Sequence, residues 1–99
     1  NDILHFTFRE SHRKIYIDEV AQVANLSTEA FCRYFKLRTM KTYTNFLNEV
    51  RISQACKLLI QNEVSIQEIC QQSGFSNLSN FNRIFKKVKG KTPTTYLAR

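Results

Sequence analysis

Turn-forming residues are scarce in this sequence of 99 residues. It contains two glycines and one proline, too few for a sandwich, a barrel or a glycine-looped nucleotide fold. The longest aliphatic run, residues 58–60, is far too short for a membrane span. No basic-then-apolar leader opens the chain, so no signal peptide is expected. These absences predict a soluble, helical, cytoplasmic protein with no membrane partner.

Metal-binding and catalytic patterns are also lacking. The three cysteines, Cys32, Cys56 and Cys70, form no CxxC pair, and His5 and His12 are the only possible nitrogen ligands. This spacing argues against both a zinc site and a disulfide framework, so three free thiols are predicted. No triad and no phosphate-cradling glycine loop is present. We therefore predict no catalytic residue, no metal and no cofactor, and the sequence does not favour an enzyme.

Apolar and basic residues are plentiful. Hydrophobic residues make up 42% of the chain, with eight Phe and four Tyr, and the formal net charge is +7. This composition supports one compact domain with a core, and its charge suits an acidic partner such as nucleic acid. The chain begins with Asn1 and not Met, so we expect it to be a piece of a longer protein.

The sequence contains an internal repeat. Residues 17–47 recur as residues 66–97, with one extra residue in the second copy after its serine. The matched pairs are Ile17 and Ile66, Glu19 and Glu68, Gln22 and Gln71, Ser27 and Ser76, Phe31 and Phe81, Arg33 and Arg83, Phe35 and Phe85, Lys36 and Lys86, Lys41 and Lys91, Thr42 and Thr92, Thr44 and Thr94, and Leu47 and Leu97. Chance matches would not keep this order.

Each copy predicts a helix-turn-helix. Its first part carries apolar or small residues at i, i+3, i+4 and i+7, which indicates a short helix with one buried face. The pattern breaks at residues 25–27 and 74–76. There Asn or Gly allows a left-handed residue, the next residue can pack inward, and a serine can cap the following helix. The second helices, at about 28–38 and 77–87, are the candidate recognition helices.

Helix starts and crossings give further signals. Ser65 and Glu68 have capping-box spacing, so a helix is predicted to begin after Ser65. Tyr16 gives the first copy no such cap. Ala21 and Cys70 are small, which suits positions where two helices cross near their turn.

The second helix of each copy predicts a buried stripe and a polar outer face. The stripe consists of Phe31, Tyr34 and Phe35 in the first copy and Phe81, Ile84 and Phe85 in the second. The outer face carries Thr28, Glu29, Cys32, Arg33 and Lys36 in the first copy and Ser79, Asn80, Asn82, Arg83 and Lys86 in the second. A solvated surface would explain any one of these residues, but their duplication favours a function.

One long helix is predicted between the two units, over residues 42–61. Its predicted buried stripe consists of Tyr43, Phe46, Leu47, Val50, Ala55, Leu58 and Leu59. A helix of this length spans roughly 30 Å, close to the roughly 34 Å between successive major-groove faces of B-DNA. A first helix is predicted over residues 2–12, and a last one after Thr92, with Pro93 at its first position.

Positive charge is concentrated in two segments. Residues 33–41 contain four basic residues and no acid, and residues 83–91 contain five and no acid. Each segment covers the second half of a recognition helix and the turn after it, where a phosphate backbone would pass. Surfaces that only confer solubility usually mix both signs.

These motifs together resemble the DNA-binding domain of the AraC/XylS family, from about residue 15 to residue 97. The resemblance rests on Leu26-Ser27 and Phe31-x-Arg33-x-Phe35-Lys36, on Arg51-Ile52, Ala55 and Leu58-Leu59, on Ile66-x-Glu68-Ile69 and Gly74-Phe75-Ser76, on Phe81-x-Arg83-x-Phe85-Lys86-Lys87, and on Gly90-Lys91-Thr92-Pro93 before Tyr96. It implies an all-α, seven-helix domain. Two helix-turn-helix subdomains, residues 1–41 and 62–99, would be joined by a linker helix at 42–61 and bind adjacent major-groove segments. Family members are mostly transcriptional activators, often with a separate sensing or dimerisation domain.

The residue types suggest individual roles in binding double-stranded DNA. The side chains of Arg33 and Arg83 can donate two hydrogen bonds to a guanine edge, and an asparagine side chain can form two with adenine. Glu29 would repel phosphate unless its carboxylate accepts a hydrogen bond from a cytosine amino group. The predicted base readers are Thr28, Glu29, Cys32, Arg33, Ser79, Asn80, Asn82 and Arg83. The predicted phosphate contacts are Lys36, Lys41, Thr42, Lys86, Lys87, Lys91 and Thr92. Alternatively, the two arginines pair with acids such as Glu19 or Glu68.

Other functions remain open at this point. The chain could be a protein-interaction module that contacts the transcription machinery without reading bases; RNA binding is less well supported, since the aromatic residues lie on buried stripes. RNA polymerase is an expected partner. The fragment is expected to be monomeric, in a parent that could dimerise through another domain. Cys32 could serve as a redox sensor, although an incidental thiol is the simpler interpretation.

Overall fold

The computed structural model describes residues 2–97, which form seven α-helices. In chain order these are α1 (Asp2–Glu10), α2 (Ile17–Val23), α3 (Thr28–Thr39), α4 (Tyr43–Gln61), α5 (Ile66–Gln72), α6 (Leu78–Lys89) and α7 (Pro93–Leu97). This part of the chain contains no β-strand. The predicted all-α fold with seven helices is confirmed.

Left-handed residues end the two recognition helices. Met40 after α3 has φ 64°, and Gly90 after α6 has φ 80°, and each donates its backbone N–H to the last full turn of its helix. α6 begins at Leu78, one residue after the predicted start, and ends at Lys89, two residues beyond the predicted end. α1, in contrast, stops at Glu10, short of the predicted residue 12, because the chain turns there.

The two helix-turn-helix turns have the same backbone geometry. Asn25 and Gly74 occupy the left-handed region, at φ 61° and 93°. In each turn the following residue donates its N–H five residues back, to the carbonyl of Ala21 at 2.9 Å and of Cys70 at 3.1 Å. Both small residues are buried, as their predicted positions at helix crossings require. The break predicted in each copy is therefore confirmed.

The side chains around these turns differ between the copies. Phe75 packs inward as predicted, but Leu26 is 38% exposed, so its predicted burial is wrong. Ser27 caps α3, accepting from a backbone N–H at 3.2 Å. The predicted cap Ser76 is wrong: Asn77 caps α6 instead, accepting at 2.7 Å. The extra residue of the second copy has moved the cap one position along the chain.

The first helices of the two units, α5 and α2, differ at their N-termini. Ser65 Oγ accepts the backbone N–H of Glu68 at 3.1 Å, so the predicted start of α5 is confirmed. The Glu68 carboxylate accepts from Gln72 Nε2 instead of reaching back, so half of the predicted capping box is formed. At α2 the Tyr16 side chain makes no cap, and its backbone N–H donates to Glu19 Oε2 at 2.9 Å.

Buried side chains form two hydrophobic clusters. The first cluster comprises Ile3, Phe6, Val20, Ala21, Phe31, Phe35, Tyr43 and Leu47. The second cluster comprises Ile52, Ala55, Cys56, Leu59, Ile69, Cys70, Phe75, Phe81, Ile84 and Phe85. α4 contributes to both clusters, so each helix-turn-helix unit packs on its own half of this helix.

The two halves of α4 bury nearly opposite faces. Tyr43 and Leu47 face the first cluster, while Ile52 and Cys56 face the second, a rotation of about half a turn at 3.6 residues per turn. The single stripe predicted from the sequence missed Ile52 and Cys56 for this reason. Because α4 belongs to both cores, the division of the chain at 41/42 and 61/62 stays a prediction.

Candidate nucleic-acid interface

α3 presents one set of the predicted base readers. Glu29, Cys32 and Arg33 are exposed and Thr28 is half-buried. The cap at Ser27 fixes where the helix begins, and its two phenylalanines are buried in the first cluster. Because the buried stripe fixes the rotation of the helix, the polar residues between the phenylalanines face outward.

Tyr34 is the exception on this helix. It was predicted to be part of the buried stripe, but its side chain is 39% exposed, so that prediction is wrong. The guanidinium of Arg38 lies over its ring, 5.6 Å from the centroid. A phenol tolerates this position because its polar end can remain in water while the ring face contacts a cation.

α6 presents the second set of readers. Ser79, Asn82 and Arg83 are exposed, and Asn80 is half-buried. Arg83 Nη2 donates to Asn80 Oδ1 at 2.7 Å. The structure therefore brings two predicted readers into direct contact, one turn apart on the same face. The sequence predicted both residues as readers but gave no indication of their mutual hydrogen bond.

The alternative pairing of Arg33 and Arg83 with acids is not observed. Neither arginine takes part in the ion pairs formed within residues 2–97. Glu19 pairs with Arg13 at 2.8 Å, and hydrogen bonds from Arg13 and from the backbone of Tyr16 hold the pKa of Glu19 below its ordinary value. Both arginines thus present their charge to solvent.

The predicted phosphate contacts fall into three groups. Four lysines are exposed, and these are Lys36, Lys86, Lys87 and Lys91. Lys41 Nζ instead forms an ion pair with Glu49 at 2.8 Å. Thr42 and Thr92 cap α4 and α7, their hydroxyls accepting backbone N–H groups at 3.2 Å. Both threonines therefore sit at helix N-termini, where backbone N–H groups favour an anion.

A groove between α4 and α6 brings the two basic segments together. Lys41, from the turn after α3, and Lys87, from the last turn of α6, line the same groove of about 240 Å³. Asn45 and Asn48 of α4 line it as well. The sequence did not single out these two asparagines, because nothing in a linear pattern shows which face of α4 borders α6.

The described residues give no sign of other binding chemistry. Residues 2–97 contain no group of three His, Cys, Asp or Glu side chains arranged to hold a metal ion. All three cysteines are free, Cys32 exposed and Cys56 and Cys70 buried. None of the helices in this part of the chain has the length and apolar character that crossing a membrane requires.

Two helix-turn-helix units with acid-free basic segments define the class: a helix-turn-helix DNA-binding domain. A family model described as a helix-turn-helix domain matches residues 20–99. The chain belongs to this family, in its AraC type. The family is one of DNA-binding domains of transcriptional regulators, not of enzymes.

Similar proteins agree with this assignment. The MmsAB operon regulatory protein of Pseudomonas aeruginosa is 31% identical over 99 aligned positions, and the match covers 99% of this chain and 32% of that protein. The DNA-binding domain of AdpA, solved in complex with a target DNA, has a TM-score of 0.89 at 24% identity, covering 97% of this chain and 86% of that one. A probable AraC family transcriptional regulator from Rhodopseudomonas palustris has a TM-score of 0.88 at 22% identity, and the match covers 99% of this chain and 93% of that one.

The chain spans about a third of the length of the MmsAB regulator. The two solved structures, both below 25% identity, establish the shared fold.

Proposed function

We propose that this domain binds double-stranded DNA sequence-specifically by placing α3 and α6 in adjacent major-groove segments on one face of the duplex. The observation that carries the proposal is the shared groove of Lys41 and Lys87, because it puts the C-terminal ends of both recognition helices beside the same face of α4. With 19 residues, α4 is roughly 30 Å long, which suits major-groove segments about one turn apart. The AdpA domain, with the same fold, was solved on a target DNA.

Base readout is assigned to the exposed polar face of each recognition helix. Arg33 and Arg83 would each contact a guanine edge through two N–H groups. The remaining readers would be Ser79, Asn80 and Asn82 on α6 and Thr28, Glu29 and Cys32 on α3. Glu29 is an anion, so its place in this set requires a cytosine amino group as its donor.

We assign the positioning of the domain along the duplex to phosphate contacts, made by the lysines and by the N-termini of α4 and α7. Lys36, Lys86, Lys87 and Lys91 are free to contact phosphates, whereas Lys41 must exchange Glu49 for a phosphate to do so. Thr42 and Thr92 would add hydroxyls and backbone N–H groups at the N-termini of α4 and α7.

We place this domain in a longer cytoplasmic regulator that works as a transcriptional activator. RNA polymerase is its proposed second partner, and the domain itself is proposed to be monomeric. Dimerisation, where it occurs, would use the remaining part of the parent, since a relative such as the MmsAB regulator is about three times as long.

The test compares an arginine with a lysine on α6. Duplexes selected from a random library by this chain and unrelated duplexes are titrated by fluorescence anisotropy. Arg83→Ala should lose about 1–3 kcal/mol of binding free energy on the selected duplex and little on the unrelated one, whereas Lys87→Ala should weaken both alike and reduce the salt slope by about one. Lys57→Ala, outside both basic segments, is the matched control and should bind as the wild type does.

Two results would contradict this proposal. Equal losses for Arg83→Ala on both duplexes would remove the arginine from base readout. A wild-type affinity that does not change with salt would exclude phosphate contacts and favour a protein-interaction module instead.

A further inference from the structure

Arg51, near the middle of α4, contacts the connection between α1 and α2. Its Nε donates to the carbonyl of Ser11 at 2.9 Å, and its Nη2 donates to the carbonyl of Arg13 at 2.7 Å. Ser11 is buried, and its hydroxyl donates to Gln54 Oε1 on the next turn of α4 at 3.2 Å. The planar guanidinium thus links two backbone carbonyls of the connection between α1 and α2 to α4.

The same guanidinium also contacts the second unit. It lies over the ring of Phe75, 5.9 Å from the centroid, and Phe75 is part of the turn between α5 and α6. Gly74, in that turn, packs so closely that a Cβ there would overlap the Ser11 carbonyl oxygen and approach Arg51 Nε to 2.9 Å. First unit, α4 and second unit therefore meet at one junction, formed by Ser11, Arg13, Arg51, Gly74 and Phe75.

The equivalent turn of the first unit has no such contact to make. Asn25 occupies the same left-handed conformation as Gly74 but carries an exposed side chain. A left-handed turn alone is therefore compatible with asparagine in this chain. Glycine is needed at residue 74 because this turn packs directly against Ser11 and Arg51. The turn at Asn25 makes no such contact.

Arg51 occupies this position without an acidic partner. No ion pair formed within residues 2–97 includes it, and burial lowers its pKa from the ordinary value. A half-buried cation that only filled space would be costly. Its two carbonyl hydrogen bonds to the first unit and its ring contact to the second unit offset that cost.

We propose that Arg51 is a positioning residue that fixes the orientation of α6 relative to α3, and thereby the half-site spacing that the domain accepts. The consequence for spacing rests on the proposed DNA-binding function, whereas the fixed orientation does not. Asn80 lines the small groove beside Lys14, Arg51 and Gly74, so the junction borders the first turn of the recognition helix. A change at Arg51 is therefore transmitted to α6 with few intervening contacts.

The first test measures orientation without DNA. Spin labels on Cys32 in α3 and on Asn82→Cys in α6 report the distance between the recognition helices by double electron-electron resonance; Cys56 and Cys70 are buried. The doubly labelled chain should give one narrow distance, and Arg51→Lys and Arg51→Gln should both broaden it, because neither side chain has the two coplanar N–H donors on separate nitrogens that a guanidinium offers. Arg9→Lys, an exposed arginine on α1, should keep the narrow distance.

The second test measures spacing on DNA with unlabelled protein. Duplexes carry both selected motifs at varied separations, or one motif alone. Arg51→Lys should lose about tenfold in affinity at the optimal separation and flatten the spacing preference, because the effective concentration of the second unit falls. Its affinity for the single-motif duplex should equal that of Arg9→Lys.

The distance measurement tests whether Arg51 fixes the helix orientation, and the binding measurement tests the proposed DNA-binding function. Superimposable distance distributions for the wild type and the Arg51 variants would overturn the inference even if Arg51→Lys lowered the melting temperature. An equal loss on single-motif and two-motif duplexes would overturn its spacing part. A wild type that prefers no duplex would contradict the proposed function, while the distances would still decide whether Arg51 sets the orientation.

Discussion

Thr7 and Tyr43 meet inside the first cluster, 36 positions apart, with their hydroxyl oxygens separated by 2.6 Å. Thr7 Oγ1 also donates to the carbonyl of Ile3 at 2.8 Å. A hydroxyl has one hydrogen, so Thr7 must accept from Tyr43. Burial raises the pKa of Tyr43, which keeps the phenol protonated as the donor. The two partners are therefore not equivalent.

This asymmetry gives a prediction at the scale of single residues. Thr7→Val removes the acceptor and leaves a buried phenol donor unpaired, which should lower the free energy of unfolding by about 1–3 kcal/mol. Tyr43→Phe leaves Thr7 donating to Ile3, and should cost only about 1 kcal/mol. Urea denaturation measures both values. A larger loss for Tyr43→Phe than for Thr7→Val would contradict the assigned direction of the hydrogen bond.

The two glycines follow helices α5 and α6 in different surroundings. Both have positive φ, 93° at Gly74 and 80° at Gly90. A Cβ at Gly90 would meet no atom within 4 Å, whereas one at Gly74 would overlap the backbone of Ser11. Met40, which ends α3 as Gly90 ends α6, already carries a side chain at φ 64°. Backbone conformation and close packing can therefore be separated experimentally.

The corresponding prediction compares alanine at both glycines. Gly90→Ala should cost about 1 kcal/mol, the strain of a left-handed residue. Gly74→Ala carries the same strain and must also displace Ser11 and Arg51, so it should lower the melting temperature clearly more. Calorimetry of the two variants checks this order. Equal shifts would mean that the turn moves away from the first unit without loss.

The sequence predicted most elements because their signals are local. The left-handed residues of the two turns, Asn25 and Gly74, the cap at Ser65 and the buried phenylalanines of α3 and α6 all depend on neighbours within one or two turns. The two buried faces of α4 could not be predicted in this way, since they depend on which unit packs on which half. Leu26 and Tyr34 were misjudged for the same reason, because apolar spacing does not show where a core ends.

Charge is unevenly distributed along the chain. The chain has 15 basic and 8 acidic residues, and segments 33–41 and 83–91 lack acids. Glu10 and Glu19 flank Arg13 in the connection between α1 and α2, at 2.8 Å each. Hydrogen bonds from Arg13 come first among the causes that lower the pKa of both glutamates. Acid should therefore affect this connection as well as the overall charge.

The stability of the fold should decrease as the pH falls below the ordinary pKa of glutamate. A glutamate whose folded pKa is depressed stabilises the fold above its unfolded pKa of about 4.3, and this contribution is lost as the pH falls through the lower folded value. Melting temperatures measured from about pH 6 to pH 3 should therefore decrease. Glu19→Gln should flatten this decrease, and Glu63→Gln, an exposed acid outside these ion pairs, should not. Parallel curves for the wild type and Glu19→Gln would contradict the linkage.

The candidate site was only partly accessible from the sequence. The exposed faces of α3 and α6 follow from their buried stripes, so the predicted readers could be placed outward. The ion pair of Lys41 with Glu49, the groove with Asn45 and the junction at Arg51 join residues that local patterns do not connect. Such contacts arise from how the two units share α4, and only the folded chain shows them.

One N–H group of Arg83 is already paired before any duplex arrives, because Nη2 donates to Asn80 Oδ1 at 2.7 Å. An exposed arginine normally samples many rotamers, and this tether narrows them in advance, which reduces the ordering entropy at the moment of contact. The guanidinium keeps four further N–H donors, so guanine, which offers two acceptors, can be bound without breaking the contact with Asn80. Selectivity at this position would then begin within the free domain.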